Sequence, residues 1–334
     1  MTLRTLFLST AAGLTALPAL ADVNVYTTRQ PELIEPVMEA FTEETGIAVN
    51  LAFVEDGLVE RLKAEGARSP ADLVMTVDIA NLQQIVDAGV VQPVESDVLT
   101  AAIPAELRSG ENLWFGLTTR ARIVYASKDR VAEGEITTYE DLASEKWEGR
   151  ICTRSGLHNY NLALVSALVA HDGEEAARAW AEGVRGNLAR KPEGNDRAQV
   201  KAIWAGECDI SLGNTYYMGL MLEDEEQTAW ADSVRIVFPT FENGGTHVNV
   251  SGVAMTQAAP NREEALQLME YLVSPEAQTI YAQLNHEYPV LAGAGVSDTV
   301  AAWGEFEADA MDLTEIAGQR PVALRIMEEV NFDG

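Results

Sequence analysis

The sequence predicts an α/β fold of two lobes, each a mostly parallel sheet flanked by helices, with a hinge between them. Three observations carry this prediction. Strand-like and helix-like segments alternate from residue 23 onward, the order that builds parallel sheets covered by helices on both faces. The alternation restarts after Tyr125, as though a second lobe had begun. The chain, at 334 residues, also exceeds the size at which one hydrophobic core usually stops growing.

The elements follow in order. A β-branched run at 23–26 reads as a strand, and Pro31 suits the first position of the helix after it. Leu33, Ile34, Val37 and Phe41 recur at helical spacing until Gly46 ends the segment. A strand over 47–53, a helix marked by Leu58 and Leu62, a strand over 73–75 and a helix over 79–88 complete the first series. Strands at 114–118 and 123–125 flank the polar stretch 119–122. Beyond them come a strand at 151, helices over 160–170, 176–184 and 198–205, and a strand over 209–212. The strand over 250–255 and the helix over 263–273 are expected to return to the first lobe. These crossings place 22–120 with about 246–292 in one lobe and 121–245 with about 293–334 in the other. Ligands usually bind in the cleft such crossings leave.

The N-terminus reads as an export signal over 1–21. Arg4 supplies the positive end, Leu6 to Leu17 the apolar run, and Ala19-Leu20-Ala21 a small-x-small cleavage site. The apolar run is too short and too interrupted to span a bilayer. A soluble, monomeric protein of the bacterial periplasm is expected. The net charge of −29 argues against nucleic acid and anionic lipid as partners. It fits a cation site, but plain solubility is the more ordinary reading of such a coat. Cys152 and Cys208 are the only cysteines, an even count that reads as a disulfide in an oxidising compartment.

Tyrosines stand out in this aromatic-poor chain: Tyr216 and Tyr217 are adjacent, and Tyr160 follows a Gly-Leu-His-Asn loop. A phenol ordinarily keeps its proton to about pH 10, so it ligates only a cation strong enough to displace that proton. Ferric iron is the abundant ion that does so. Packing of amphipathic rings is the alternative, and the residues alone leave both open. His171, His247 and His286 are scattered without paired spacing or clustered cysteine, which argues against zinc. Glu223 to Glu226 lacks the frame of a calcium loop, and 243–246 lacks the Lys-Ser/Thr of a phosphate loop. Ser155 does not sit in a Gly-x-Ser-x-Gly elbow, so an enzyme is not expected.

At this point the motifs carry a resemblance. VYTTRQ (25–30), AEGARSPADL (64–73), TTRARIVYASKDRV (118–131), RSGLHNYN (154–161), GECDISLGNTYY (206–217), LVSPEAQ (272–278) and NHEYPV (285–290) resemble the periplasmic ferric-iron-binding proteins that serve ABC importers. RSGLHNYN together with NTYY is the specific part. The resemblance implies a type II periplasmic-binding-protein fold and iron(III) coordination by Tyr160, Tyr216 and Tyr217. It also implies delivery to an inner-membrane permease and its ATPase. Some members add a His or Tyr after the first strand, where this chain has Gln30 and Pro31, and some add a Glu after the third strand, where it has Val77 and Asp78. The departures place it nearest members that complete the iron shell with an anion such as carbonate or bicarbonate.

Three tyrosinates balance a 3+ charge but supply three donors where ferric iron takes about six, which argues for the anion on chemical grounds. Arg29 and Arg120 are the candidate anion holders, with Arg122 a weaker one and Asp78 an outside candidate for the metal. His158, two positions before Tyr160, is expected to point elsewhere. The same fold holding an organic solute (a polyamine, thiamine or a phosphonate) against aromatic walls is the competing expectation.

Overall fold

The computed structural model describes residues 21–54 and 56–334, so the export signal read at 1–21 lies, Ala21 apart, outside the described residues. Ten strands are described: β1 (Val23–Thr27), β2 (Val49–Phe53), β3 (Leu73–Thr76), β4 (Val91–Gln92), β5 (Phe115–Ser127), β6 (Ile151–Cys152), β7 (Ile210–Asn214), β8 (Val234–Val237), β9 (Val248–Thr256) and β10 (Tyr288–Pro289). They join in the order β2-β1-β3-β9-β5-β7-β6, with β4 pairing β9, and β8 and β10 pairing β5. The pairs β1–β2, β1–β3 and β6–β7 are parallel, where the alternation predicts them. The remaining pairs are antiparallel because β5 and β9 run back through the structure. The fold class is the expected one, and its sheet is mixed rather than mostly parallel.

The long strand β5 is the structural axis. Its first half pairs with β9, from Phe115 opposite Val253 to Ala121 opposite Val248. Its second half pairs with β7, from Arg122 opposite Asn214 to Ala126 opposite Ile210, and with β8 on its other edge. The chain therefore passes from one sheet half to the other at Ala121–Arg122. The expected break over 119–122 does not occur, and this corrects the reading of two short strands. Arg120 and Arg122 are buried, and both donate hydrogen bonds inside the protein. Their polarity marks internal pairing, not a turn.

Helix patterning explains what surrounds the sheet. The helix Asn159–Asp172 is apolar on all sides and buries every residue from Asn161 to Val169, as a helix packed on all faces must. The helix Glu174–Gly186 is one-sided, burying Ala177, Trp180, Ala181 and Val184. Both lie against the C-terminal helix Arg320–Glu329, while the short helix Leu313–Gly318 touches both Asn159–Asp172 and the helix Ile79–Asp87. Leu313, Ile316 and Ala317 share one core with Ile79 and Leu82, so this segment bridges the sheet halves.

Cys152 on β6 and Cys208 just before β7 form a disulfide with Cα atoms 5.8 Å apart. It closes a loop across a sequence separation of 56 that contains Tyr160. In the chain-entropy account such a loop contributes roughly 4 kcal/mol. Reduction, or the double change Cys152→Ala and Cys208→Ala, is expected to lower unfolding free energy by about 3–4 kcal/mol in a denaturant titration. An unchanged midpoint would show that the bridge adds nothing to stability.

Candidate metal centre

The three tyrosines come from two segments and occupy equivalent places. Tyr160 is the second residue of Asn159–Asp172, and Tyr216 and Tyr217 are the first two residues of the helix Tyr216–Glu223. All three stand in the first turn of a helix, where the partial positive charge of the backbone favours an anionic oxygen. Local hydrogen bonds fix both turns. The His158 side chain accepts from the Tyr160 backbone N–H at 3.2 Å and so caps its helix. Ahead of Tyr216, Thr215 N–H donates to the Ala121 carbonyl at 3.1 Å. Gly213 has no room for a Cβ because the Tyr125 ring lies against it, and the Tyr125 hydroxyl donates to the Asn214 carbonyl at 2.7 Å.

Arg122 joins the two segments. It donates to Asn161 Oδ1 at 2.6 Å, to Asn214 Oδ1 at 3.1 Å and to Asp196 Oδ2 at 2.8 Å. Asp196, fully buried, also receives Arg154 at 3.1 Å. Asn161 in turn donates to the Arg154 and Ser155 carbonyls, which shapes the loop before Tyr160. Arg122 does not line the cleft and is therefore no anion holder; it positions the asparagines beside the tyrosines. Arg120 and Arg122 lie on opposite sides of the point where β5 changes partners.

A cleft of about 270 Å³ gathers Tyr160, Tyr216, Tyr217, Arg29, Arg120 and Glu287, with Gln30, His158 and Ser251 at its sides. The Tyr160 and Tyr216 hydroxyl oxygens lie 3.1 Å apart, and the Tyr216 and Tyr217 ring centres 4.3 Å apart. The two hydroxyls are within hydrogen-bond distance of each other. Burial pushes the Tyr216 phenol well above its ordinary value; Tyr160 and Tyr217 add to this and Arg120 opposes it. Tyr217 is raised as well, first by burial and then by Tyr160 and Asp196. Both phenols are accordingly neutral near pH 7 in the metal-free protein. The guanidinium carbons of Arg154, Arg122 and Arg120 lie 5.1, 5.9 and 6.0 Å from the centre of the Tyr160 ring, so three positive groups surround it.

Arg29 and Arg120 both reach the cleft, as expected, but neither is free. Arg29 grips Glu287 with two nitrogens, at 2.6 and 3.3 Å, and donates to Ser251 Oγ at 2.9 Å. Arg120 donates to the same Ser251 oxygen at 3.3 Å and to the Val77 carbonyl. Glu287 also receives the Thr118 hydroxyl at 2.9 Å. Glu287 and Ser251 were not anticipated from sequence. Glu287 stands inside the NHEYPV stretch, but it lies 258 positions from Arg29.

The outside candidate Asp78 does not reach the cleft. Its carboxylate caps the helix Ile79–Asp87 through the Asn81 backbone N–H at 2.8 Å, and burial raises it from the usual carboxylate range. His158, expected to point elsewhere, does line the cleft. Burial, then Arg154, lowers its imidazole to about 4, so the ring is neutral at pH 7 while one nitrogen is held by the helix cap. The Ser155 hydroxyl and the Gly156 backbone N–H both donate to the Asp333 carboxylate near the C-terminus. Among the described residues no group of three or more His, Cys, Asp and Glu is placed to hold a metal.

The two sheet halves touch beside the cleft. His286, buried at a positive φ of 52°, lays its ring on Gly219 of the tyrosine-bearing helix, where any Cβ would collide with it. Its Nε2 lies 3.1 Å from Glu223.

Comparison with known proteins places this geometry in context. The bacterial extracellular solute-binding protein family matches residues 37–308. Iron uptake protein A1 of Synechocystis is 46% identical over 314 residues, covering 93% of this chain and 87% of that protein. The crystal structure of apo ferric ion-binding protein A from Pasteurella haemolytica superposes with a TM-score of 0.90 at 49% identity, over 95% of this chain and 99% of that one. A Trichodesmium protein in complex with iron and citrate ligands gives 0.89 at 42% identity, over 93% and 99%.

Proposed function

The chain belongs to the bacterial extracellular solute-binding protein family, and we propose that it captures ferric iron in the periplasm and delivers it to an ABC importer. The observation that carries this reading is the convergence of Tyr160, Tyr216 and Tyr217 in one cleft between helix N-termini and guanidinium groups. Relatives described as iron uptake and ferric iron-binding proteins, matched over nearly their full length, support the cargo. In this reading the three phenols lose their protons to iron(III), and their combined charge cancels its 3+. An oxyanion such as carbonate, held between Arg29 and Arg120, supplies further donors. The protein acts as a carrier; a membrane permease and its ATPase do the work of transport.

The lobe division at 22–120 with about 246–292, and 121–245 with about 293–334, is supported by the change of partners along β5. Packing of Arg320–Glu329 on Asn159–Asp172 also supports it. Closure over iron would occur where β5 changes partners, at Ala121–Arg122. Export by the segment 1–21 fits the compartment that the disulfide requires.

The test is direct. Protein loaded with ferric citrate and desalted is expected to hold one iron per chain by elemental analysis and to show an orange-to-red charge-transfer band from tyrosinate to iron(III). A colourless, iron-free protein under saturating ferric citrate would overturn the reading and favour an organic solute.

A further inference from the structure

The seam beside the cleft carries a contact that iron ligation does not explain. His286 sits between two anchors in one sheet half: Asn285 donates to the Leu33 carbonyl at 2.9 Å, and Glu287 accepts from Arg29 and from the Thr118 hydroxyl. β10 then pairs with the first half of β5, Tyr288 opposite Thr119. So fixed, His286 keeps a φ of 52°, a left-handed conformation that a non-glycine residue holds where its surroundings enforce it. His286 is 2% exposed, and its ring meets the other half on the helix Tyr216–Glu223 that follows β7. Tyr216, Gly219 and Glu223 are spaced i, i+3 and i+7, so they share one face of that helix. The face that receives His286 is therefore the face that carries a proposed iron ligand. The Glu223 side chain is 62% exposed, so its contact with the His286 Nε2 adds little. The buried fit of the ring on Gly219 is the main part.

We propose that His286 is a positioning residue for iron retention: its ring, seated on Gly219, is a catch that holds the tyrosine-bearing helix against the Arg29 side of the cleft, and releasing the catch opens the cleft. This rests on the tyrosinate iron site proposed above. His286 touches no metal and acts through the helix. A hinge motion at Ala121–Arg122 carries the two sides of this contact apart, because the ring moves with the first half of β5 and Gly219 with the second. Glycine at 219 is required by the fit and not by the helix. Any Cβ there would collide with the ring, whereas alanine is ordinarily the better residue within a helix. The segment 285–288 thus touches the tyrosine helix and, through Glu287, the cleft arginine Arg29.

Two readouts test the catch. Small-angle scattering on the iron-free protein measures how far the lobes stand apart, and decay of the charge-transfer band in excess EDTA measures iron release. Gly219→Ala is expected to increase the radius of gyration of the apo protein. It should also speed release about tenfold, within the range by which residues that contact neither ligand shift a two-state equilibrium. The band should keep its wavelength, since all three phenols remain. His286→Asn removes the ring, and asparagine tolerates the positive φ, so it should speed release by a similar factor without straining the backbone. It also keeps the idea testable if Gly219→Ala does not fold, as judged by melting of the apo protein. In the double variant the added methyl meets no ring, so its release rate should match that of His286→Asn alone. An unchanged release rate or unchanged scattering in folded Gly219→Ala overturns the proposal. So do effects that add in the double variant, or a shifted band in either single one, which would mean a distorted ligand set and not an opened cleft. A wild type without the band would overturn the iron site instead, while scattering still decides whether the catch exists.

Discussion

Tyr217→Phe is expected to weaken iron(III) binding by more than about 100-fold, since removing even an outer-shell partner of a metal commonly costs 10–100-fold. The visible band should shift and weaken at the same time, because one of its phenolate donors is gone. The apo protein should melt at nearly the same temperature. Tyr217 is half-buried, and phenylalanine preserves the ring that packs 4.3 Å from Tyr216. Tyr216→Phe is a less clean test, because it also removes the contact between the Tyr216 and Tyr160 hydroxyls. Chelator competition and a visible spectrum on the same sample make the measurement. Unchanged affinity with an unchanged band would remove Tyr217 from the ligand set.

The site was legible in part. Tyr160, Tyr216 and Tyr217 could be singled out because each lies in a short motif, and the structure puts all three in one cleft. Arg29 and Arg120 could be placed near it because Arg29 follows β1 and Arg120 lies on β5 just before that strand changes partners. What sequence could not supply was their partners. Glu287 and Ser251 meet Arg29 from 258 and 222 positions away, and no local spacing encodes such a contact. Arg122 and Asp78 were misplaced for a related reason. Each is a charged residue in the right neighbourhood whose bonding capacity is taken up by structure, in a buried cluster with Asp196 and in a helix cap respectively. The fold shows the same limit. The βα alternation gave the parallel pairs, whereas the continuity of β5 depends on buried partners for Arg120 and Arg122 that lie far along the chain.

The second large effect concerns pH. In the metal-free cleft the Tyr216 and Tyr217 phenols are held protonated, burial being the main cause for both. Iron must therefore displace a proton from each phenol it binds. The sign follows from linkage: a group protonated in the free form and ionised in the bound form makes affinity rise with pH, tenfold per proton per pH unit. Three phenols give a slope of about three in log affinity against pH, or roughly 1000-fold per unit, as long as pH stays below the phenol values of the free protein. The His158 imidazole, lowered to about 4, is already neutral across pH 5.5 to 7.5 and adds nothing to that slope within about that window. Acidification should thus release iron steeply, and Tyr217→Phe should reduce the slope by one as well as lowering affinity. Competition titrations over this range, without bicarbonate and corrected for ferric hydrolysis and chelator protonation, give the slope directly. A value near zero would mean that the phenols keep their protons in the loaded protein, and that the three hydroxyls in this cleft serve some cargo other than iron(III).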